Sequence, residues 1–205
     1  MVKISDVYNS IISIENLFMA WDRFKSDKRN KIDVARFERK LEQEIFRLHR
    51  ELKAESYTHG PYEDFWICDP KRRHIFKAMV RDRVIHHAIF SVLYPIFEPT
   101  FIPTSFSCRI GKGNHRGVKY LNSVIRKVSR NYTKPCFVLK CDIRKFFDSI
   151  DHNILVSIIK KKIRNAQVTA LLERIIRSYS SCVQERERER ELLALRAIGV
   201  YQSVI

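Results

Sequence analysis

Between Phe37 and Leu52 the apolar residues Phe37, Leu41, Ile45, Leu48 and Leu52 recur at helical spacing, while Glu38, Arg39, Lys40, Glu42, Glu44 and Arg47 fill the other faces. This pattern predicts one long amphipathic helix that packs on a core and ends near Gly60-Pro61. Two short runs follow, Phe65 to Cys68 and Ile75 to Val80, and read as the strands of a hairpin with Lys71, Arg72 and Arg73 at its tip. A second helix is expected from Asp82 to about Phe97, closed by Glu98-Pro99, and a third from Asn114 to Arg130. From Phe137 the period changes to two. Phe137, Leu139, Cys141 and Ile143 alternate with Val138, Lys140 and Asp142, which predicts a strand with one face in a core and Asp142 on the other. Helices over 152–164 and 167–180 complete an α+β chain.

Charge adds a partner class to this outline. The 205 residues carry 39 Lys and Arg against 23 Asp and Glu, a net charge of +16. With a pI near 9.9 this is the electrostatic footprint of a protein that meets nucleic acid. Tyr57, Tyr62, Phe65 and Trp66 lie near the basic hairpin as candidate base-stacking groups, most of the 13 Phe being core. No apolar run approaches the roughly 20 residues of a membrane span and no signal-peptide core is present, so a cytoplasmic location is expected. Cys68, Cys108, Cys136, Cys141 and Cys182 are odd in number and never form CxxC. They support neither a disulfide framework nor a zinc site, and read as reduced core or strand residues. His86 and His87 point about 100° apart on a helix and read as packing residues rather than metal ligands.

The densest chemistry lies in Phe137 to His152, FVLKCDIRKFFDSIDH. A strand delivers Asp142 to its end, and Phe147 follows five residues later, next to whatever that carboxylate holds. Asp151 reads as the N-cap of the next helix. Capping does not account for a charge at the end of a buried-looking strand, so Asp142 is the candidate for chemistry.

A strand ending in Asp with an aromatic five residues on resembles the first catalytic motif of reverse transcriptases. "DIRKFFDSIDH" is similar in particular to those of bacterial retroelements, meaning group II introns and diversity-generating retroelements. Three ordered blocks upstream carry the same likeness. They are a Pro-Lys-x-Arg turn (Pro70, Lys71, Arg73) with an Asp-Arg-Val pivot (Asp82, Arg83, Val84), a Pro-Ile-Phe-Glu helix end (Pro95 to Glu98), and a Ser-x-x-Cys-Arg-x-Gly-x-Gly loop (Ser105, Cys108, Arg109, Gly111, Gly113). The resemblance covers about residues 60 to 182. It implies a helical N-terminal extension over 1–60, fingers over 61–131, and the start of a palm over 132–183, that is, a truncated right-hand polymerase, followed by a low-complexity tail over 184–205.

The resemblance also implies roles. Asp142, with the Ile143 carbonyl nearby, would hold Mg²⁺. Phe147 would screen the sugar 2′ position, and Lys71 and Arg73 would grip the triphosphate of a deoxynucleotide. Arg72, Arg83, Arg109 and Lys112 would contact nucleic acid, as RNA template and DNA or RNA primer. For Arg83 a salt bridge to Asp82 or a neighbouring carboxylate is an equal alternative. The glycines around Lys112 would let a phosphate chain approach the backbone.

Two-metal phosphoryl transfer needs carboxylates that bridge ions about 3.5–4 Å apart, which one Asp cannot supply. The family's Tyr-x-Asp-Asp hairpin is missing, since no adjacent Asp-Asp pair occurs in these residues, and so is its Gly-x-Pro-x-Gly motif. Two functions are therefore expected as alternatives. One is the fingers and partial palm of an RNA-directed DNA polymerase, inactive as this chain and completed by the remaining polymerase half or an accessory protein. The other is a non-catalytic basic RNA-binding module on the fingers scaffold. An unpaired palm edge would also make the chain prone to aggregate.

From Gln184 the text becomes ERERERE and then LLALRAIGVYQSVI. Either this is a solvated charged helix, with like charges at i,i+4, or the Glu-Arg run is a GA dinucleotide repeat written GAG AGA, where replication slips. In a shifted frame the codons permitted for Gly199 to Ile205 spell Gly-Ile-Pro-Ile-Gly-Asn, the missing motif. A frameshift is thus the expectation, and reading the gene tests it: the shifted frame should continue to a Tyr-x-Asp-Asp. Codons in the run that break the GA repeat would refute it.

Overall fold

The computed structural model describes residues 6–143, 146, 147 and 149–179; the 184–205 tail and Cys182 lie outside the described residues. The chain divides into two compact units, one built from residues up to Val92 together with those from Asp151 onward, the other from Leu93 to Ile150.

The first unit opens with four helices, α1 (Val7–Ile12), α2 (Ile14–Lys25), α3 (Ile32–Glu38) and α4 (Leu41–Lys53). Ser13 ends α1 and caps α2, its hydroxyl accepting from the Asn16 amide at 3.2 Å. Ile11, Leu17, Trp21, Phe24, Ile45, Leu48 and Leu52 are fully buried between these helices. The long helix expected through Phe37 and Leu52 is in fact two, broken at Arg39-Lys40. Neither Gly nor Pro forces the break. Phe37, near the end of α3, packs on Trp21 at 5.1 Å between ring centroids. The buried stripe Ile45, Leu48, Leu52 on α4 is as the pattern predicts.

The hairpin follows as β1 (Tyr62–Ile67) and β2 (Arg73–Ala78), antiparallel, with Tyr62 opposite Ala78 and Ile67 opposite Arg73. Next comes α5 (Val80–Phe97), within which the boundary between the units falls. The first unit resumes with α7 (His152–Lys162) and a helix over 166–179, here α8. Asp151 caps α7 as expected, accepting from the Asn153 and Ile154 amides at 2.8 and 3.0 Å. The α8 side chains return to the N-terminal half: Gln167 donates to Glu55 at 2.6 Å, Arg174 donates to the Glu55 and Tyr57 carbonyls, and Tyr179 meets the rings of Tyr62 and Phe76 edge-on.

Asp82 joins the hairpin's entry to α5. It is 1% exposed and accepts from the Tyr57 hydroxyl at 2.7 Å and from the Gly60 amide at 3.2 Å. A Cβ on Gly60 would stand 2.9 Å from the Asp82 carboxylate, so only glycine permits this approach. Burial, and then the Asp82 charge, push the Tyr57 hydroxyl far above its ordinary range, so it remains a donor.

His86 is a packing residue, stacked on His59 with ring centroids 5.3 Å apart. Burial, and then His59, lower its pKa from 6.5 to about 4. A histidine depressed in this way stabilises the fold above its unfolded pKa and withdraws that stability as pH falls from about 6.5 towards 4. Urea titration should show a loss of about 2.5 kcal/mol between pH 7.5 and 4.5, and His86→Gln should flatten that slope. An unchanged slope in the variant would exclude His86 as its source.

The second unit holds the end of α5, a 3₁₀ turn (Glu98–Thr100) and α6 (Asn114–Val128). No residue of α6 is buried, and Val118, Leu121 and Val128 stay about half exposed. The expected strand is not formed: residues 135–143 carry no regular structure, and Phe137, Val138 and Leu139 are exposed. A strand exists only through a neighbour, and among the described residues the sheet is the two-stranded hairpin alone. The cysteines also depart from the core reading, since Cys68, Cys108 and Cys141 are free and exposed and Cys136 is partly so. Among the described residues no helix is long and apolar enough to cross a membrane.

Candidate nucleic-acid interface

The hairpin tip displays its cations as the sequence implies. Lys71, Arg72 and Arg73 are all exposed, and Lys71 and Arg73 enter no ion pair among the described residues. The Arg72 guanidinium lies over the Trp66 ring at 4.2 Å, and Trp66 stacks on His74 at 4.5 Å with the planes 10° apart. His74 in turn meets Asp64 at 2.7 Å. Stacking fixes one cation and one aromatic face in place and leaves two long cations free to reach a polyanion. Below the tip, Lys77 binds Asp33 at 2.6 Å and Glu63 at 3.2 Å, so the hairpin is tied to α3 by its own charges.

Arg83 takes the salt-bridge alternative, donating to Asp33 at 2.8 Å rather than to Asp82. Burial alone would raise the Asp33 carboxyl, but the hydrogen bonds from Lys77 and Arg83 outweigh it and lower the pKa. Arg81 pairs with Glu51. The start of α5 thus carries an ion-pair lattice that sequence reading located only in part. Lys77 and Arg81 were missed as well as Asp33 and Glu51, and the two carboxylates lie on helices far away along the chain, where no local signal announces them.

In the second unit the Arg109 side chain is 8% exposed and engaged by the chain itself. Its Nε and Nη2 donate to Glu98 at 2.5 to 3.1 Å, and its Nη1 donates to the Ile102 and Ser105 carbonyls at 2.8 and 3.1 Å. The hydrogen bonds from Arg109, and then that of Tyr94, hold the Glu98 carboxyl below its usual range. This fork closes the loop from Glu98 to Gly113 against the end of α5. Gly111 and Gly113 sit at φ +71° and +94°, a left-handed backbone that favours glycine. Lys112 donates to the Pro103 carbonyl at 2.7 Å.

Asp142 is exposed, as is Ile143, and Phe147 is 79% exposed with its ring edge-on to Phe146 at 5.3 Å. One carboxylate beside a backbone carbonyl is a hard oxygen donor set of the kind Mg²⁺ takes, although it supplies only part of a coordination shell. Among the described residues no three His, Cys, Asp or Glu side chains cluster as a metal site. Asp142 and Phe147 belong to the second unit, while Lys71, Arg72 and Arg73 belong to the first.

No protein-family model matches the chain. Individual relatives do. It is 26% identical over 114 residues, 56% of its length, to nuclear intron maturase 1, mitochondrial, of Arabidopsis thaliana. Over 140 residues, 67% of its length, it is 24% identical to the group II intron-encoded protein LtrA of Lactococcus lactis subsp. cremoris. Over 141 residues, 68% of its length, it is 23% identical to protein YkfC of Escherichia coli K12. The likeness to intron-type retroelement proteins read from the blocks is thus matched by relatives of that class. The chain spans only 15%, 22% and 36% of the lengths of these three proteins.

Proposed function

We propose that this chain is the fingers and the beginning of the palm of an RNA-directed DNA polymerase of group II intron type, and that its own residues bind RNA and a deoxynucleotide. The observation that carries this reading is the hairpin tip, where Lys71 and Arg73, in no ion pair among the described residues, stand beside an Arg72 stacked on Trp66. Three cations on a two-stranded projection suit an anionic ligand, since a triphosphate or an RNA backbone offers the oxygens they need. The ordered blocks and the intron-maturase relatives support the same choice of partner.

In this proposal Asp142 and the Ile143 carbonyl hold Mg²⁺, which neutralises phosphate charge when bound. The resemblance gives Phe147 the screening of the sugar, and gives Lys71 and Arg73 the phosphates. Lys112 contributes to RNA contact, while Arg83 and Arg109 act chiefly by shaping the surface through Asp33 and Glu98. The 205 residues contain no adjacent Asp pair, so nucleotide addition is not expected from them alone.

The test is Mg²⁺-dependent binding of a deoxynucleotide triphosphate by the 205-residue chain. Asp142→Ala should weaken it at least about tenfold, the loss of one charge-assisted metal contact, while RNA affinity stays within a factor of about two. Because Asp142 is exposed, the fold should not change. Nucleotide binding indifferent to both Mg²⁺ and Asp142→Ala would favour the second reading, a non-catalytic RNA-binding module. That reading rests on the exposed, irregular setting of Asp142.

A further inference from the structure

Residues 135–143 of the second unit carry no regular structure, and among the described residues they form no backbone hydrogen bond. Amides and carbonyls left without a chain partner are what an added strand pairs with. Phe137 is 95% exposed and Leu139 88%, and Cys141 and Ile143 are also in solvent, so the apolar face that the alternation predicts is covered by none of the described residues. The same unit leaves Val118, Leu121 and Val128 of α6 about half exposed, which adds apolar surface for a neighbour to remove from water.

The order of the residues says what fits there. In an extended chain Lys140 and Asp142 share one face, with opposite charges, and Cys141 lies between them on the other. Two copies of this segment running antiparallel and centred on Cys141 set Lys140 of each opposite the partner's Asp142, and Leu139 of each opposite the partner's Ile143. The two ion pairs then fall on one face of the ribbon, and Leu139, Cys141 and Ile143 on the other. Centring on Lys140 instead would set that lysine against itself, and a parallel pairing in register would set every charge against its like. The segment is thus complementary to itself in charge.

We propose that two copies of the chain associate through residues 137–143, paired antiparallel about Cys141 in a two-stranded ribbon. Two-fold symmetry makes every favourable contact occur twice and closes the assembly at two copies. A two-stranded ribbon alone is marginal in water and is steadied by packing against a helix, so the half-exposed α6 stripe belongs to the same surface. The association needs neither RNA nor nucleotide. It goes beyond the proposed function, and either can fail while the other stands. Because it sets Asp142 against a lysine, it competes with Mg²⁺ at that carboxylate, and its test is made in EDTA.

The experiment is sedimentation equilibrium of the whole 205-residue chain with reductant, over concentrations around a dissociation constant of about 10 µM. The average mass should rise from 24.4 kDa towards twice that value. Lys140→Glu or Asp142→Lys alone should weaken the dimer about tenfold, since each turns two opposite-charge pairs into like pairs, and Lys140→Glu/Asp142→Lys should restore it. Both side chains are exposed, so these variants leave the core intact. Cys141 reads the register. With Cys68, Cys108, Cys136 and Cys182 replaced by serine, added diamide should take two electrons and two protons from a pair of Cys141 thiols and leave a disulfide-linked dimer. Leu139→Cys/Cys141→Ser in that background should give none, because its two thiols stand about 14 Å apart along the ribbon. A mass of 24.4 kDa at every concentration would overturn the proposal, as would open-ended association or a dimer indifferent to the single charge reversals. Cross-linking as fast in Leu139→Cys/Cys141→Ser as through Cys141 would overturn the register.

Discussion

Replacing Asp82 with alanine is expected to cost the first unit about 3–5 kcal/mol. The carboxylate is fully buried and receives two donors, the Tyr57 hydroxyl and the Gly60 amide. Hydrogen bonds to a charged group contribute about 1.5–3 kcal/mol each, and removal of the acceptor also leaves two donors with no partner in a buried site. Against the 5–15 kcal/mol typical of a whole domain, this loss leaves little margin. Asp82→Asn keeps the shape but can accept only at its carbonyl oxygen, so about half the loss is expected. Of the two Trp, Trp21 is 1% exposed, so its fluorescence during urea unfolding reports the change. A loss under 1 kcal/mol for Asp82→Ala would show that Asp82 does not hold the hairpin's entry to α5. The prediction matters for function because this contact fixes the base of the hairpin from which Lys71 and Arg73 project.

The second large effect is on RNA binding itself. If the cations of the chain neutralise about six phosphates of an RNA strand, log affinity falls with log salt at a slope of about −4. Raising the salt from 50 to 200 mM should then weaken binding about 250-fold. A slope near zero would mean that the net charge of +16 serves solubility and not a polyanion.

Elements whose cause is local were legible in the sequence. The hairpin is announced by β-branched and aromatic runs around a Pro-containing basic turn, α5 by its apolar stretch before Glu98-Pro99, and the start of α7 by Asp151. What escaped depends on distant partners. The helix through Phe37 is broken at Arg39-Lys40, and Phe37 seats on Trp21, a contact that no nearby residue encodes. Arg83 finds Asp33, fifty positions earlier, and Tyr57 finds Asp82. Alternation from Phe137 to Ile143 predicts a strand with one face in a core, whereas Phe137, Val138, Leu139 and Ile143 are all exposed. A strand also needs a neighbouring backbone, and none of the described residues supplies one. The Arg109 fork was invisible for the same reason. Both partners were singled out in the sequence, yet nothing in their spacing says that Arg109 turns back to Glu98.

The central claim is that the exposed hairpin tip grips nucleic acid. Its most direct test is the salt dependence of RNA affinity for the wild-type chain and for Lys71→Gln/Arg72→Gln/Arg73→Gln. All three residues are exposed, so the substitutions leave the core intact. Three lost phosphate contacts should make the slope shallower by about 2 and lower the affinity at 100 mM salt by more than tenfold. A variant that keeps the wild-type slope and affinity would contradict the claim and remove the hairpin from the interface.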